Sequence, residues 1–247
     1  MTDYSEFSEK DFREAVDKFY KQLTDGKRPI KSPRAFLLGG QSGAGKTTIH
    51  DIIQRASANI IVIDGDRYRE RHPNFEIIHK VYGNNAANYT QKFSNSIANA
   101  LIKRLSDERY NLIIEGTCRT AEVPLNSCRM LKEKGYSVTL AVMCTDKETA
   151  WQSTIDRYNE MERLGLLARA VPRDKFEETV KAIPDNISAL YKSGEFDNIL
   201  LFNRKTECLY NMKKQPQLNP AEIVKRELAA NRNPEQAKPA PKPKHRR

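Results

Sequence analysis

Long apolar runs are missing from this sequence. No stretch approaches the roughly 18 uninterrupted apolar residues of a membrane-crossing helix, so no span is expected. Metal-type cysteine pairs are missing too. Cys118, Cys128, Cys144 and Cys208 form no C-x-x-C pair, and two of them stand in apolar or near-strand surroundings where a reduced, buried thiol is usual. Neither disulfides nor zinc are expected. The opening Met1-Thr2-Asp3-Tyr4-Ser5-Glu6 is acidic and polar, without the basic start and apolar core of a signal peptide. The expected location is the cytoplasm. No internal repeat is visible.

Acidic excess is also lacking: the chain carries a net charge of +10 over 247 residues. That surplus invites a nucleic-acid partner, but its position argues otherwise. From Lys225 to Arg247 eight Lys and Arg face only Glu227 and Glu235, so about +6 sits in the tail and about +4 in the body. A body of that charge suits a protein that binds phosphorylated small molecules. Hydrophobic residues make up 38%, enough for one sizeable α/β core. The expected organisation is a single domain over residues 1–231, with an N-terminal helix in 1–30 and a core in 31–231. Residues 232–247, rich in Pro and Lys, are expected to be a disordered basic tail.

What is present is a phosphate-binding loop. Gly40-Gln41-Ser42-Gly43-Ala44-Gly45-Lys46-Thr47 fits G-x-x-x-x-G-K-[ST]. The apolar Ala35-Phe36-Leu37-Leu38 precedes it as a strand, and Thr48-Ile49-His50-Asp51-Ile52-Ile53 continues it as a helix. Glycines let successive N–H groups converge on phosphate oxygens, and the helix N-terminus adds partial positive charge. In such a loop Lys46 reaches the outer phosphates and the Thr47 hydroxyl is placed to ligate Mg²⁺.

A helix is expected from Ser8 to Lys21, with Ser8 as cap and Phe12, Val16, Phe19 and Leu23 on one face. Asn59-Ile60-Ile61-Val62-Ile63 reads as a strand buried on both faces, ending in Asp64-Gly65-Asp66. Ligands of open α/β sheets bind outside the carboxyl ends of the strands. The two aspartates are therefore candidates for a general base and for metal organisation, or else form a plain turn. His72-Pro73 opens a polar connection. Tyr89, Phe93, Ile97, Leu101 and Leu105 recur every four residues on a long helix, and Leu112-Ile113-Ile114 is the next strand. It ends in Glu115-Gly116-Thr117-Cys118-Arg119-Thr120, a loop with an acid, hydroxyls and a guanidinium suited to a hydroxyl- and phosphate-rich substrate.

Pro124 is expected to begin a helix that stops at Gly135, before the strand Val138–Met143. Asp146 caps a helix through Trp151, Ile155 and Tyr158. Arg157, Arg163, Arg169 and Arg173 then punctuate a segment containing Gly165 and Pro172. They read as a lid closing over phosphates, or as a solvated helix face. A short helix is expected from Arg173 to Ile183, interrupted by Pro184 and resumed from Ile187 to Tyr191. Asn198–Phe202 is a fifth strand, and Asn219-Pro220-Ala221-Glu222 forms a capping box with Pro at the first helical position. The fold class is α/β: a P-loop kinase-type, mostly parallel sheet flanked by helices, with an arginine-bearing lid. No N-K-x-D sequence of guanine selection occurs, which favours ATP.

Several ordered motifs together resemble the zeta toxins of bacterial toxin–antitoxin systems. They are the run Leu37–Thr48, including Thr48 after the loop, Ile63-Asp64-Gly65-Asp66 with His72-Pro73-Asn74-Phe75, Glu115-Gly116-Thr117-x-Arg119-Thr120, Thr154-Ile155-Asp156-Arg157-Tyr158 and Ala168-Arg169-Ala170-x-Pro172. They span roughly Ser32 to Arg204. The resemblance implies an ATP- and Mg²⁺-dependent kinase that phosphorylates the 3′-hydroxyl of the amino sugar of UDP-N-acetylglucosamine, blocking peptidoglycan synthesis. It also implies an antitoxin partner. Carried over by residue, Lys46 binds ATP phosphates, Asp66 is the base, Glu115, Thr117 and Arg119 hold the sugar nucleotide, and Arg157 and Arg169 bracket the transferred phosphoryl group. Zeta toxins usually carry a substrate-site Glu where this sequence aligns Asn99, which can hydrogen-bond a sugar hydroxyl but has no charge. Two other readings stay open: a P-loop kinase of another UDP-sugar, an antibiotic or a nucleoside, and a nucleotide-switched module whose basic tail binds nucleic acid.

Overall fold

The computed structural model describes residues 3–230, so the Pro/Lys-rich tail lies outside the described residues. Strands β1 (Arg34–Gly39), β2 (Ile61–Ile63), β3 (Leu112–Ile114), β4 (Ser137–Cys144), β5 (Asn198–Asn203) and β6 (Cys208–Asn211) form one sheet in the order β2-β3-β1-β4-β5-β6. The first five are parallel, and β6 pairs antiparallel with β5. The helices are α1 (Glu9–Thr24), α2 (Lys46–Ala56), α3 (Phe75–Tyr82), α4 (Ala86–Asp107), α5 (Glu122–Glu133), α6 (Lys147–Arg163), α7 (Arg173–Lys192) and α8 (Ala221–Ala229).

Alternate residues of β1 feed two cores. Ala35 and Leu37 join the larger one, which takes in Val16 of α1, Phe93, Ile97, Leu101 and Leu105 of α4, Leu131 of α5, Ile183, Ile187 and Leu190 of α7, and Val224 of α8. Leu38 points the other way into a smaller core with Ile49 of α2, Ile113 of β3 and Met143 of β4. Both faces are covered, though unequally. The four α4 side chains spaced every four residues are fully buried, each contributing about 1.5–3 kcal/mol relative to exposure.

Local chemistry sets the ends. Ser8 caps α1 in a capping box with Asp11: the Asp11 N–H donates to Ser8 Oγ at 3.1 Å and the Ser8 N–H to Asp11 Oδ2 at 3.0 Å. Asp146 caps α6 by accepting from the Thr149 N–H at 2.9 Å. Asn219 accepts from the Ala221 N–H at 3.0 Å, and Pro220 has helical dihedrals, but the return bond from Glu222 is not formed among the described residues.

Four sequence expectations need correction. α7 runs unbroken through Pro184, because one face carrying Phe176, Thr179, Ile183, Ile187 and Leu190 is buried and outweighs the one missing backbone donor. The connection around His72-Pro73 is helical on both sides, with a 3-10 segment Gly65–Arg71 before it and α3 after it. β6 carried no strand signal, since only Tyr210 of its four residues is buried. α5 begins at Glu122, two residues before Pro124. Cys118, Cys128 and Cys144 are buried, Cys208 is exposed, and none is disulfide-bonded.

Candidate active site

After β3 the chain crosses from one side of β1 to the other, to β4. At the carboxyl ends of β1, β2 and β3 lies a cleft of about 590 Å³ lined by Lys46, Thr47, Asp64, Asp66, Glu115 and Arg157 among others.

The phosphate loop joins β1 to α2. Gly40, Gly43 and Gly45 take positive φ of 126°, 73° and 92°. A Cβ on Gly43 would stand 2.0 Å from Ala150 O, and one on Gly40 would stand 2.8 Å from Met143 O. Gln41 is buried and donates from Nε2 to Thr145 O at 2.6 Å, while Thr145 Oγ1 donates to Ala44 O at 2.7 Å, fastening the loop to the end of β4. Arg204 Nη1 adds a bond to Gly43 O at 3.1 Å. The N–H groups of Gly43 and Gly45 find no acceptor among the described residues, as an anion cradle requires. Lys46 Nζ rests on Gly40 O at 2.9 Å and Gln41 O at 3.2 Å. Burial pushes the Lys46 ammonium down, and the charges of Glu115 and Asp66 oppose that shift. Gly43→Ala is expected to destabilise the fold by more than about 1 kcal/mol, because the new methyl meets backbone at a left-handed position. A urea midpoint equal to wild type would show that the loop has room.

The aspartates at the end of β2 differ. Asp64 Oδ1 accepts from the Asp66 N–H at 3.0 Å and caps the 3-10 segment. Burial, then the neighbouring Glu115 and Asp66, push the Asp64 carboxyl up. Asp64 has no ion pair among the described residues, and the Thr47 hydroxyl lines the same cleft. Among the described residues no three His, Cys, Asp or Glu form a metal cage by themselves. A magnesium ion fits here on the terms it usually accepts, one or two protein oxygens with the rest from phosphates and water.

Asp66 is held by two arginines. Arg169 Nη1 and Nη2 reach Asp66 Oδ1 and Oδ2, both at 2.5 Å, and Arg69 Nε donates to Oδ1 at 3.1 Å. Burial pushes the Asp66 carboxyl up, but the bonds and charges of Arg169 and Arg69 outweigh it and hold the group well below the usual carboxylate range. Arg157 of α6 lines the cleft with no hydrogen bond or ion pair of its own among the described residues. The other two arginines of that segment do not line it. Arg163 pairs with Glu160, while Arg173 pairs with Glu177 and lies over the Trp151 ring at 4.5 Å.

The loop after β3 is anchored on both sides. Thr117 O accepts from the Gly40 N–H at 3.3 Å, and Asn186 Nδ2 of α7 donates to Cys118 O at 2.9 Å and Arg119 O at 2.7 Å. Glu115, Thr117 and Arg119 all line the cleft. Asn99 does not. It is exposed on α4, one turn beyond Asn95, and the α4 residues that line the cleft are Ala87, Asn88, Gln91 and Asn95. The amide row opposite the apolar stripe was the signal for these. Thr48 follows the loop inside α2, away from the lining.

The arrangement can hold a phosphate chain on the loop, present a carboxylate to a neighbouring hydroxyl and place guanidinium charge between them. No helix among the described residues is long and apolar enough to cross a membrane. Comparison with known proteins agrees with this kinase-like layout. The family model described as Zeta toxin matches residues 17–215. Toxin zeta of Streptococcus pyogenes is 38% identical over 230 residues, 92% of this chain and 80% of that protein. Toxin PezT of Streptococcus pneumoniae is 39% identical over 211 residues, 85% of this chain and 83% of that one. A solved chain of the PezAT chromosomal toxin–antitoxin system of Streptococcus pneumoniae superposes with a TM-score of 0.84 at 33% identity, covering 96% of this chain and 94% of that chain. The AvrRxo1-ORF1:-ORF2 structure with ATP shares the fold alone, with a TM-score of 0.61 at 14% identity over 89% of this chain and 73% of its own. With the ordered motifs, the sheet order and these relatives in agreement, the chain belongs to the zeta toxin family.

Proposed function

We propose that this protein transfers the γ-phosphoryl group of ATP to the 3′-hydroxyl of the amino sugar of UDP-N-acetylglucosamine, and so blocks peptidoglycan synthesis. The observation that carries the reading is the convergence in one cleft of the phosphate loop, Asp66, the Glu115–Arg119 loop and the arginines 157 and 169. In the proposed reaction the acceptor oxygen bonds to the γ-phosphorus as the bond to the β–γ bridging oxygen breaks, and ADP leaves. Lys46 and the loop N–H groups hold the phosphates. Thr47 and Asp64 would hold Mg²⁺, which supplies charge neutralisation on the phosphate oxygens. Glu115, Thr117 and Arg119 orient the sugar nucleotide, and Asp66 accepts the hydroxyl proton. A carboxylate bonded to Arg169 is a weak base. Arg169 therefore turns from Asp66 to the incoming phosphoryl oxygens, which both stabilises the transition state and restores basicity to Asp66.

The supporting likeness to a solved toxin–antitoxin system motivates an antitoxin partner for this chain as well. A second reading, a P-loop kinase of another small substrate, draws on Asn99, which stands uncharged and outside the cleft lining where zeta toxins usually carry a Glu. Purified protein with ATP, Mg²⁺ and a panel of UDP-sugars decides between them by ³¹P NMR and mass spectrometry. The expected result is one added phosphate on UDP-N-acetylglucosamine. Phosphate gained only by another acceptor selects the second reading.

A further inference from the structure

His50 has no part in the chemistry described so far, yet it lies against that chemistry. It is the fifth residue of α2, four after Lys46, so both side chains project from the same face of that helix. Its Nε2 stands 3.0 Å from Glu115 Oε1, with side-chain exposures of only 9% for His50 and 19% for Glu115. The contact falls outside hydrogen-bond geometry, which leaves His50 Nε2 a buried polar atom without a hydrogen-bond partner among the described residues. A buried imidazole nitrogen and a carboxylate oxygen at this distance repel if both present lone pairs, and both side chains are largely withdrawn from water. A proton on Nε2 removes that repulsion. Glu115 in turn has one oxygen against α2 and lines the cleft with the remainder of its carboxylate.

We propose that His50 is a positioning residue for the acceptor. Its Nε2–H turns the Glu115 carboxylate into the cleft, and the bond straightens when a substrate hydroxyl engages the other carboxylate oxygen. The proposal rests on the kinase reading for its substrate, a hydroxyl-bearing sugar nucleotide. The helix that begins at the phosphate loop thereby fixes the acid of the acceptor loop, so donor and acceptor sites share one rigid element.

His50→Ala is expected to raise KM for the acceptor roughly tenfold, the worth of one charge-assisted hydrogen bond. KM for ATP should move less than about twofold, since the phosphate loop keeps its own bonds. His50→Gln, whose amide nitrogen reaches about as far as Nε2, should recover most of the loss, and the shorter His50→Asn should not. Equal rises for ATP and acceptor, or Gln no better than Ala, would overturn the proposal. Long-range ¹H–¹⁵N spectra of the wild-type protein give a readout independent of folding defects in variants and of substrate identity. They should place a proton on His50 Nε2, with that preference lost in Glu115→Ala. A bare Nε2 in the wild type refutes the pairing outright. Failure of the wild type to phosphorylate any UDP-sugar would instead sink the proposed function, while the nitrogen spectra still decide the histidine pair.

Discussion

Asp66→Asn is expected to lower phosphoryl transfer by at least about 10²-fold, within the range that loss of a general base typically costs. ATP affinity should stay within about twofold of wild type, because no phosphate-loop bond involves Asp66. The argument is positional. A hydroxyl is a poor nucleophile until its proton has somewhere to go. Asp66 is 48% exposed on the cleft side of the 3-10 segment, whereas Asp64 spends Oδ1 on capping that segment. Asp64→Asn can still accept that capping bond, so it should keep the fold and show a weakened response to Mg²⁺ instead. The pair with Arg169 also gives an acid signature. A carboxyl held low in the folded state contributes stability above its unfolded value of about 3.9, and that contribution fades as pH falls towards the folded value. Asp66→Asn should lose this acid sensitivity. Calorimetric ATP binding beside single-turnover transfer makes the comparison. Transfer near the wild-type rate in Asp66→Asn would end the base assignment and make Glu115 the next candidate.

What was legible in the sequence was local. The phosphate loop is a contiguous string whose glycines are required by the backbone itself, and Gly43 meets Ala150 O if given a methyl. The buried strands β2 and β3 are short β-branched runs, and their ends place Asp64, Asp66 and Glu115 at the cleft. What was not legible joins distant residues. Arg169 meets Asp66 across 103 positions, and no spacing rule encodes such a pair. His50 looked like part of an ordinary helix, and its meaning comes only from the loop packed beside it. Pro184 misled for the opposite reason. A local rule against proline was outweighed by the buried stripe of α7, a tertiary effect no window of sequence contains. Asn99 was singled out by alignment to family motifs, but the face of α4 that reaches the cleft depends on how that helix packs on β2 and the 3-10 segment.

Removing either cleft arginine should have the larger effect. Arg157→Ala is expected to lower kcat by about 10³-fold or more, as losses of transition-state arginines do in related phosphoryl transfers. Arg157 is suited to this because it lines the cleft without an ion pair among the described residues, so its charge is uncommitted there until a phosphate arrives. Arg169→Ala removes an anion stabiliser and also leaves Asp66 to Arg69 alone. With Arg169 gone the Asp66 carboxyl of the free enzyme rises towards its ordinary value of about 3.9, so the acid limb of the kcat/KM–pH profile, which reports the free enzyme, should move to higher pH even as kcat falls. Arg169→Lys keeps a charge but loses the two-pronged contact with Asp66, and should sit between wild type and Ala. Rapid-quench single turnovers across pH measure both effects. Losses below about twofold that disappear in high salt would mark these as ordinary surface arginines, since screening abolishes only exposed, long-range charge effects. A large kcat loss in Arg169→Ala without movement of the acid limb would show instead that Arg169 acts on the phosphoryl group alone and that its bond to Asp66 has no bearing on the base.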